Sequence, residues 1–180
     1  MALKHTHETN AQRTKRIAVC AMLSALGVVM LGIGSVISVM DISMAVIASL
    51  FCIFAVIEYG GASPWLVFIV TGVLSLLLPQ KAPAAMYLLF FGYYPIIKEK
   101  LEKHRKAVAW FLKELIFQVA LIVMLLLYHF VFMAPGTTYP WTIYVVLAFA
   151  AEIVFPIYDI ALTRLITLYL FRLRNRFRFK

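Results

Sequence analysis

Three charged side chains interrupt the apolar stretch AEIVFPIYDIALTRL, residues 150–164: Glu152, Asp159 and Arg164, with Pro156 between the two acids. Proline lacks the backbone donor that would bond the carbonyl of residue 152, so a carboxylate and an unpaired carbonyl are predicted at one level of a helix. This polar notch could hold a ligand or a proton, or it could only join two helices by a hydrogen bond. The solvent around the helix decides which chemistry is relevant.

The composition predicts a membrane as that solvent. Of the 180 residues, 64% are hydrophobic and only 14% are charged. Several apolar runs have the roughly 17 to 25 residues needed to cross a hydrocarbon core about 30 Å thick. The net charge of +9 is concentrated before the first apolar run, in the loop 98–106 and in the last residues. Such clustering is typical of membrane topology, and it argues against a nucleic-acid partner.

We predict an all-α, polytopic fold in a lipid bilayer, the bacterial cytoplasmic membrane. The domains are a cytoplasmic tail (1–15), a transmembrane domain (16–171) that includes the basic cytoplasmic loop 98–106, and a basic cytoplasmic tail (172–180). The six predicted membrane helices cover about 16–34, 42–59, 64–78, 84–97, 107–133 and a segment from Trp141 onwards. With four helices before the loop and two after it, the loop and both termini are cytoplasmic by the positive-inside rule.

Depth separates the roles of the three charges. If the sixth helix enters the outer boundary at Trp141, Glu152 lies about 16 Å deeper, near the midplane. A carboxylate there costs about 2.5 to 3.5 kcal/mol, so it must face the bundle interior, carry a proton or have a partner. Asp159 and Arg164 are interpreted as residues of the inner boundary, which reach headgroups or pair with another helix.

Aromatic and polar residues toward the outer side suggest stacking positions for a planar organic ligand. The predicted substrate-binding residues are Glu152, Tyr87, Tyr93, His129, Tyr139, Trp141 and Tyr144. A headgroup-level aromatic belt and a hydrogen-bonded histidine at the rim explain the same residues without a ligand. Asp41 is predicted to cap helix two or to lie in an outer loop.

No catalytic motif, metal-ligand spacing or cofactor motif is found, so an enzyme is not predicted. Cys20 and Cys52 lie within apolar runs without CxxC spacing and are interpreted as small packing residues.

Helix one contains KRIAVCAMLSALGVVM, in which Ala21 and Ala25 lie one turn apart on one face, where another helix can approach closely. Together with the DIS that opens helix two at 41–43, this motif resembles the substrate-binding components of energy-coupling-factor vitamin transporters. The resemblance implies that both alanines contact a membrane-embedded coupling subunit, which two ATPase subunits drive. It also implies a site for a small organic ligand that faces outward.

Two other functions fit the same sequence. One is a non-transporting membrane scaffold, similar in size and topology to proteins of the MreD type, in which Glu152 locks helices together. The other is a small proton-coupled carrier that uses Glu152.

Overall fold

The computed structural model describes residues 10–102, 105–127, 129, 140–169 and 171. Within these ranges the chain is helical and contains no β-strand, so the predicted all-α class is confirmed for them. The seven α-helices of this part are α1 (Asn10–Val36), α2 (Asp41–Glu58), α3 (Ser63–Ser75), α4 (Ala82–Met86), α5 (Tyr94–Leu101), α6 (Lys106–Leu127) and α7 (Trp141–Leu168).

Four of these helices, α1, α2, α6 and α7, are long and apolar enough to cross a membrane. α3 is apolar but has 13 residues, which at 1.5 Å per residue gives about 20 Å, short of a hydrocarbon core. The predicted fourth helix is divided into α4, a π-helical segment (Tyr87–Phe91) and α5. Counted as one broken segment, these bring the described part of the chain to six helical segments.

Several predicted borders differ from the observed ones. α1 already includes residues 10–15, so the described end of the predicted tail is helical. α5 extends to Leu101, so the first residues of the predicted loop 98–106 are helical. α7 continues through Pro156 without interruption. The end of the fifth helix near 133 and the tail 172–180 lie outside the described residues.

The chain forms two compact units, Met1–Ile96 and Ile97–Lys180. In the first, α1 packs on α2 and α3 through small residues spaced one turn or two turns apart: Cys20, Ser24, Gly27 and Gly34. A Cβ on Gly27 would lie only 2.9 Å from Thr71 Cγ2, so α1 and α3 approach closely there. Such close contact lets dispersion forces hold helices together where lipid supplies no hydrophobic driving force. Cys20 and Cys52 are both buried and free, as predicted for packing residues.

In the second unit, α6 and α7 pack against each other in antiparallel directions. The Phe117 and Phe155 rings stack with centroids 4.4 Å apart and planes 11° apart. Gln118 of α6 contacts Glu152 of α7, whereas Lys113, which lies earlier on α6, contacts Asp159, which lies later on α7. This register determines which polar side chains of the two helices meet.

Candidate functional site

Polar side chains of the second unit meet in three layers between α7 on one side and α6 with His129, which follows α6, on the other; we call these layers the polar seam. The layers contain Lys113 with Asp159, Gln118 with Glu152, and His129 with Tyr144. On α7, the spacings of seven and eight residues between these positions place them on one helical face. The three seam residues of α7 therefore lie in one line along the helix, although the helix is apolar on average.

The first layer is a buried ion network centred on Asp159, which is 4% exposed. Lys113 Nζ donates to both carboxylate oxygens of Asp159, at 3.0 and 3.2 Å, and to Glu102 Oε1 at 2.9 Å. Lys98 from α5 also donates to the Asp159 carboxylate and lies 3.4 Å from Glu102 Oε1. Two lysines thus face two carboxylates, so the network is neutral overall when all four are ionised.

Lys98 is the more buried of the two lysines, with 1% of its surface exposed. Its ammonium donates to the Asp159 carboxylate, to the Asp159 main-chain carbonyl at 2.7 Å and to Thr163 Oγ1 at 2.7 Å. These three acceptors match the three donors that an ammonium carries.

The prediction that Asp159 reaches a headgroup or pairs with another helix is thereby resolved in favour of pairing, since its carboxylate is enclosed by α5 and α6. Arg164, in contrast, is exposed. Sequence reasoning missed Lys98, which was assigned to a loop, and Lys113, which lies within an apolar helix. A lysine in one apolar helix and an acid in the next indicate an ion pair, and the sequence contains this pattern in Lys113 and Asp159.

The middle layer contains Glu152, the acid of the predicted notch. Gln118 Nε2 donates a hydrogen bond to Glu152 Oε1, and the Glu114 side chain lies beside both of them. Glu152 therefore has a partner on the neighbouring helix, one of the three solutions expected for a carboxylate at this depth. The Phe117–Phe155 stack lies between this layer and the ion network along the two helices.

The third layer pairs His129 with Tyr144. His129 Nδ1 and the Tyr144 hydroxyl are 3.0 Å apart and form a hydrogen bond, with the two rings edge to face. Trp141 is 76% exposed at the start of α7. Tyr139 lies outside the described residues. The structure thus joins two of the predicted ligand residues directly.

The remaining predicted ligand residues belong to the first unit. Tyr87 and Tyr93 both pack against Phe68, with ring centroids 5.9 and 6.2 Å away. Tyr87 is completely buried in a cluster with Leu31, so its ring is enclosed by protein. Tyr93 is half-buried.

The predicted capping role of Asp41 is not found. Met40 holds the N-cap position without a side-chain cap hydrogen bond, and Asp41 is the first residue of α2. An acid in the first turn is favourable there because it faces the positive end of the helix dipole. Gln80 donates to Asp41 Oδ2 at 3.5 Å.

Ala21 and Ala25 are exposed on α1, on a face different from the buried small residues that contact α2 and α3.

Within the described residues, no three His, Cys, Asp or Glu side chains are grouped so as to hold a metal ion.

No protein-family model matches the chain, and neither a curated protein nor a solved structure matches it.

Proposed function

We propose that this chain is the membrane-embedded substrate-binding subunit of a vitamin or micronutrient uptake transporter in the bacterial cytoplasmic membrane. Partner ATPases energise it through a transmembrane coupling subunit. The four long apolar helices support a membrane setting. In the proposed topology, six segments cross the bilayer and both termini are cytoplasmic.

One observation carries the proposal more than any other: the exposure of Ala21 and Ala25. Small residues in a membrane helix serve close packing, and α1 already uses Ser24, Gly27 and Gly34 for packing within its own unit. Ala21 and Ala25 are left on the outer face, where a helix of another subunit can approach to short range. This is the position that the resemblance gives to a coupling subunit.

The ligand in this proposal is a small organic molecule that meets the outer end of the polar seam. His129 and Tyr144 offer a hydrogen-bonding pair there, and Trp141 adds a large exposed aromatic ring one turn earlier on α7. An aromatic surface with a few convergent polar groups is the usual composition of a small-molecule site.

The test is purification of the full chain from its native host through a small C-terminal tag in mild detergent, with mass spectrometry of co-eluting proteins and metabolites. We expect a membrane subunit and ATPases to co-elute with the wild type. Ala21→Trp combined with Ala25→Trp should abolish that recovery because the large rings prevent close approach. Ala21→Ser with Ala25→Ser keeps both side chains small and should retain it.

Leu26→Trp is the matched bulky control, since Leu26 is exposed on the same helix at the opposite edge of its outer face. Equal loss of partners in this control would mean that added bulk acts non-specifically. Recovery of cell-envelope assembly proteins with no ATPase and no metabolite would overturn the transporter proposal.

The scaffold of the MreD type is the second candidate, and the Gln118–Glu152 hydrogen bond favours it. A carboxylate held by the neighbouring helix serves packing without any ligand. The same purification distinguishes the two functions. If the chain is a scaffold, envelope proteins should co-elute with it whether or not Glu152 is replaced.

A further inference from the structure

A groove of about 320 Å³ lies between α1 and α3 in the first unit, outside the polar seam. Arg13 and Arg16 line one end of it. Apolar side chains from both helices form its walls, among them Ile17, Leu66 and Val70, each of which is at least 41% exposed. The groove is therefore open on the side where these residues meet the surrounding lipid.

The length of the groove matches one leaflet of a bilayer. From Arg13 to Ser24, the lining residues of α1 cover eleven steps, or about 16 Å at 1.5 Å per residue. Half of a hydrocarbon core is about 15 Å. A molecule that fills this groove thus has a polar end at the arginines and an apolar length equal to one leaflet.

The charge distribution determines the polar end. Among the described lining residues, the charged side chains are the two arginines, and they are three positions apart on one helix. Guanidinium groups recognise phosphate through paired N–H donors, and basic positions between membrane helices attract anionic headgroups. Beyond them the walls are almost entirely apolar, because the two lining serines, Ser24 and Ser63, are buried, so a small soluble anion finds little else to bind.

We propose that the groove is a binding site for one anionic phospholipid, with its phosphate on Arg13 and Arg16 and one acyl chain along Ile17, Leu66 and Val70. The proposal does not rest on the transport function. Of the two alanines assigned to the partner subunit, Ala25 does not line the groove and Ala21 lies at its edge, so the two proposed sites adjoin at Ala21. Such a site selects among the lipids next to α1 by the charge of their headgroups.

The experiment is native mass spectrometry of the full-length chain in detergent, titrated with phosphatidylglycerol and, separately, with phosphatidylcholine of the same acyl composition. We expect one phosphatidylglycerol to bind at least tenfold more tightly than phosphatidylcholine. Arg13→Gln combined with Arg16→Gln should weaken its binding by about tenfold to thirtyfold, the worth of two basic residues at an anionic surface.

Lys15→Gln is the matched charge control, because Lys15 is exposed on the same turn of α1 but does not line the groove. It should change phosphatidylglycerol binding less than twofold. Arg13→Lys with Arg16→Lys should retain most of the preference. Val70→Trp, which fills the apolar part without changing charge, should also displace the lipid.

Four results would overturn the proposal. Equal binding of the two lipids would remove the headgroup preference. An equal loss in Lys15→Gln would reduce the effect to general surface charge. Undiminished binding in Val70→Trp, or glycerol 1-phosphate competing as effectively as the intact lipid, would exclude the acyl chain. Circular dichroism of each variant shows whether it is folded, and Val70→Trp tests the site independently of the arginines.

Discussion

Lys98 donates a 2.7 Å hydrogen bond to the main-chain carbonyl of Asp159 as well as an ion-paired hydrogen bond to its carboxylate, although 61 residues separate the two. The pair ties α5 to α7, and Lys113 adds α6 to the same carboxylate. A buried carboxylate that forms ion pairs with two lysines from two other helices determines how these three helices pack together.

Asp159→Asn should destabilise the chain strongly. The substitution keeps the size of the side chain but leaves two buried lysines with one carboxylate of the network, Glu102, and breaking a buried ion pair costs about 3 to 5 kcal/mol. Thermal unfolding in detergent should show a markedly lower midpoint than the wild type. Arg164→Gln, an exposed change on the same helix, is the control and should stay within about 0.5 kcal/mol. Equal midpoints for both variants would contradict the network's structural role.

Gly92→Ala should be costly because Gly92 lies under an aromatic ring. A Cβ there would be 2.5 Å from Phe68 Cδ2 and 2.8 Å from Tyr87 Cε1, and both rings are packed. Overpacking of this kind costs about 1 to 3 kcal/mol. Gly32→Ala is the matched control, since its Cβ would meet only Leu78 at an ordinary 3.6 Å. Unfolding midpoints should rank the control at or above the wild type and Gly92→Ala well below it.

The helical class and the packing role of the cysteines were predictable because they follow from composition and from local sequence. The partners of Asp159 were not, because they depend on the antiparallel register of α6 and α7 and on a lysine that continues α5. The π-helical segment Tyr87–Phe91 was also missed, because its sequence YLLFF contains no helix-breaking residue. Sequence periodicity placed Glu152 and Asp159 on one face, and only the fold supplied Gln118 and Lys113 opposite them.

The Gln118–Glu152 hydrogen bond should have a measurable coupling energy. In a double-mutant cycle with Gln118→Leu and Glu152→Leu, we expect about 0.6 to 2 kcal/mol, the range of side-chain hydrogen bonds between membrane helices. Glu152→Gln can still accept from Gln118 and should stay close to the wild type. Unfolding midpoints of the four proteins give the coupling. A coupling near zero would show that the middle layer does not join the two helices.

Cysteine labelling should establish the proposed topology. Pro79→Cys and Lys100→Cys place thiols at exposed positions between α3 and α4 and at the end of α5. The first change leaves Lys81 able to donate to the Leu78 carbonyl at 2.9 Å. If six segments cross the membrane, a membrane-impermeant maleimide should label Pro79→Cys on intact bacterial cells and Lys100→Cys only after the cells are opened.

The native thiols provide a low background for this labelling, because both cysteines are buried. The short length of α3 makes the experiment decisive, since a segment of about 20 Å can also enter and leave a bilayer on one side when protein covers its ends. Such a re-entrant arrangement would leave Pro79→Cys unlabelled from outside while Lys100→Cys stayed cytoplasmic. That result would replace six crossings by four and keep both termini on one side, whereas labelling of both positions on intact cells would reject the orientation itself.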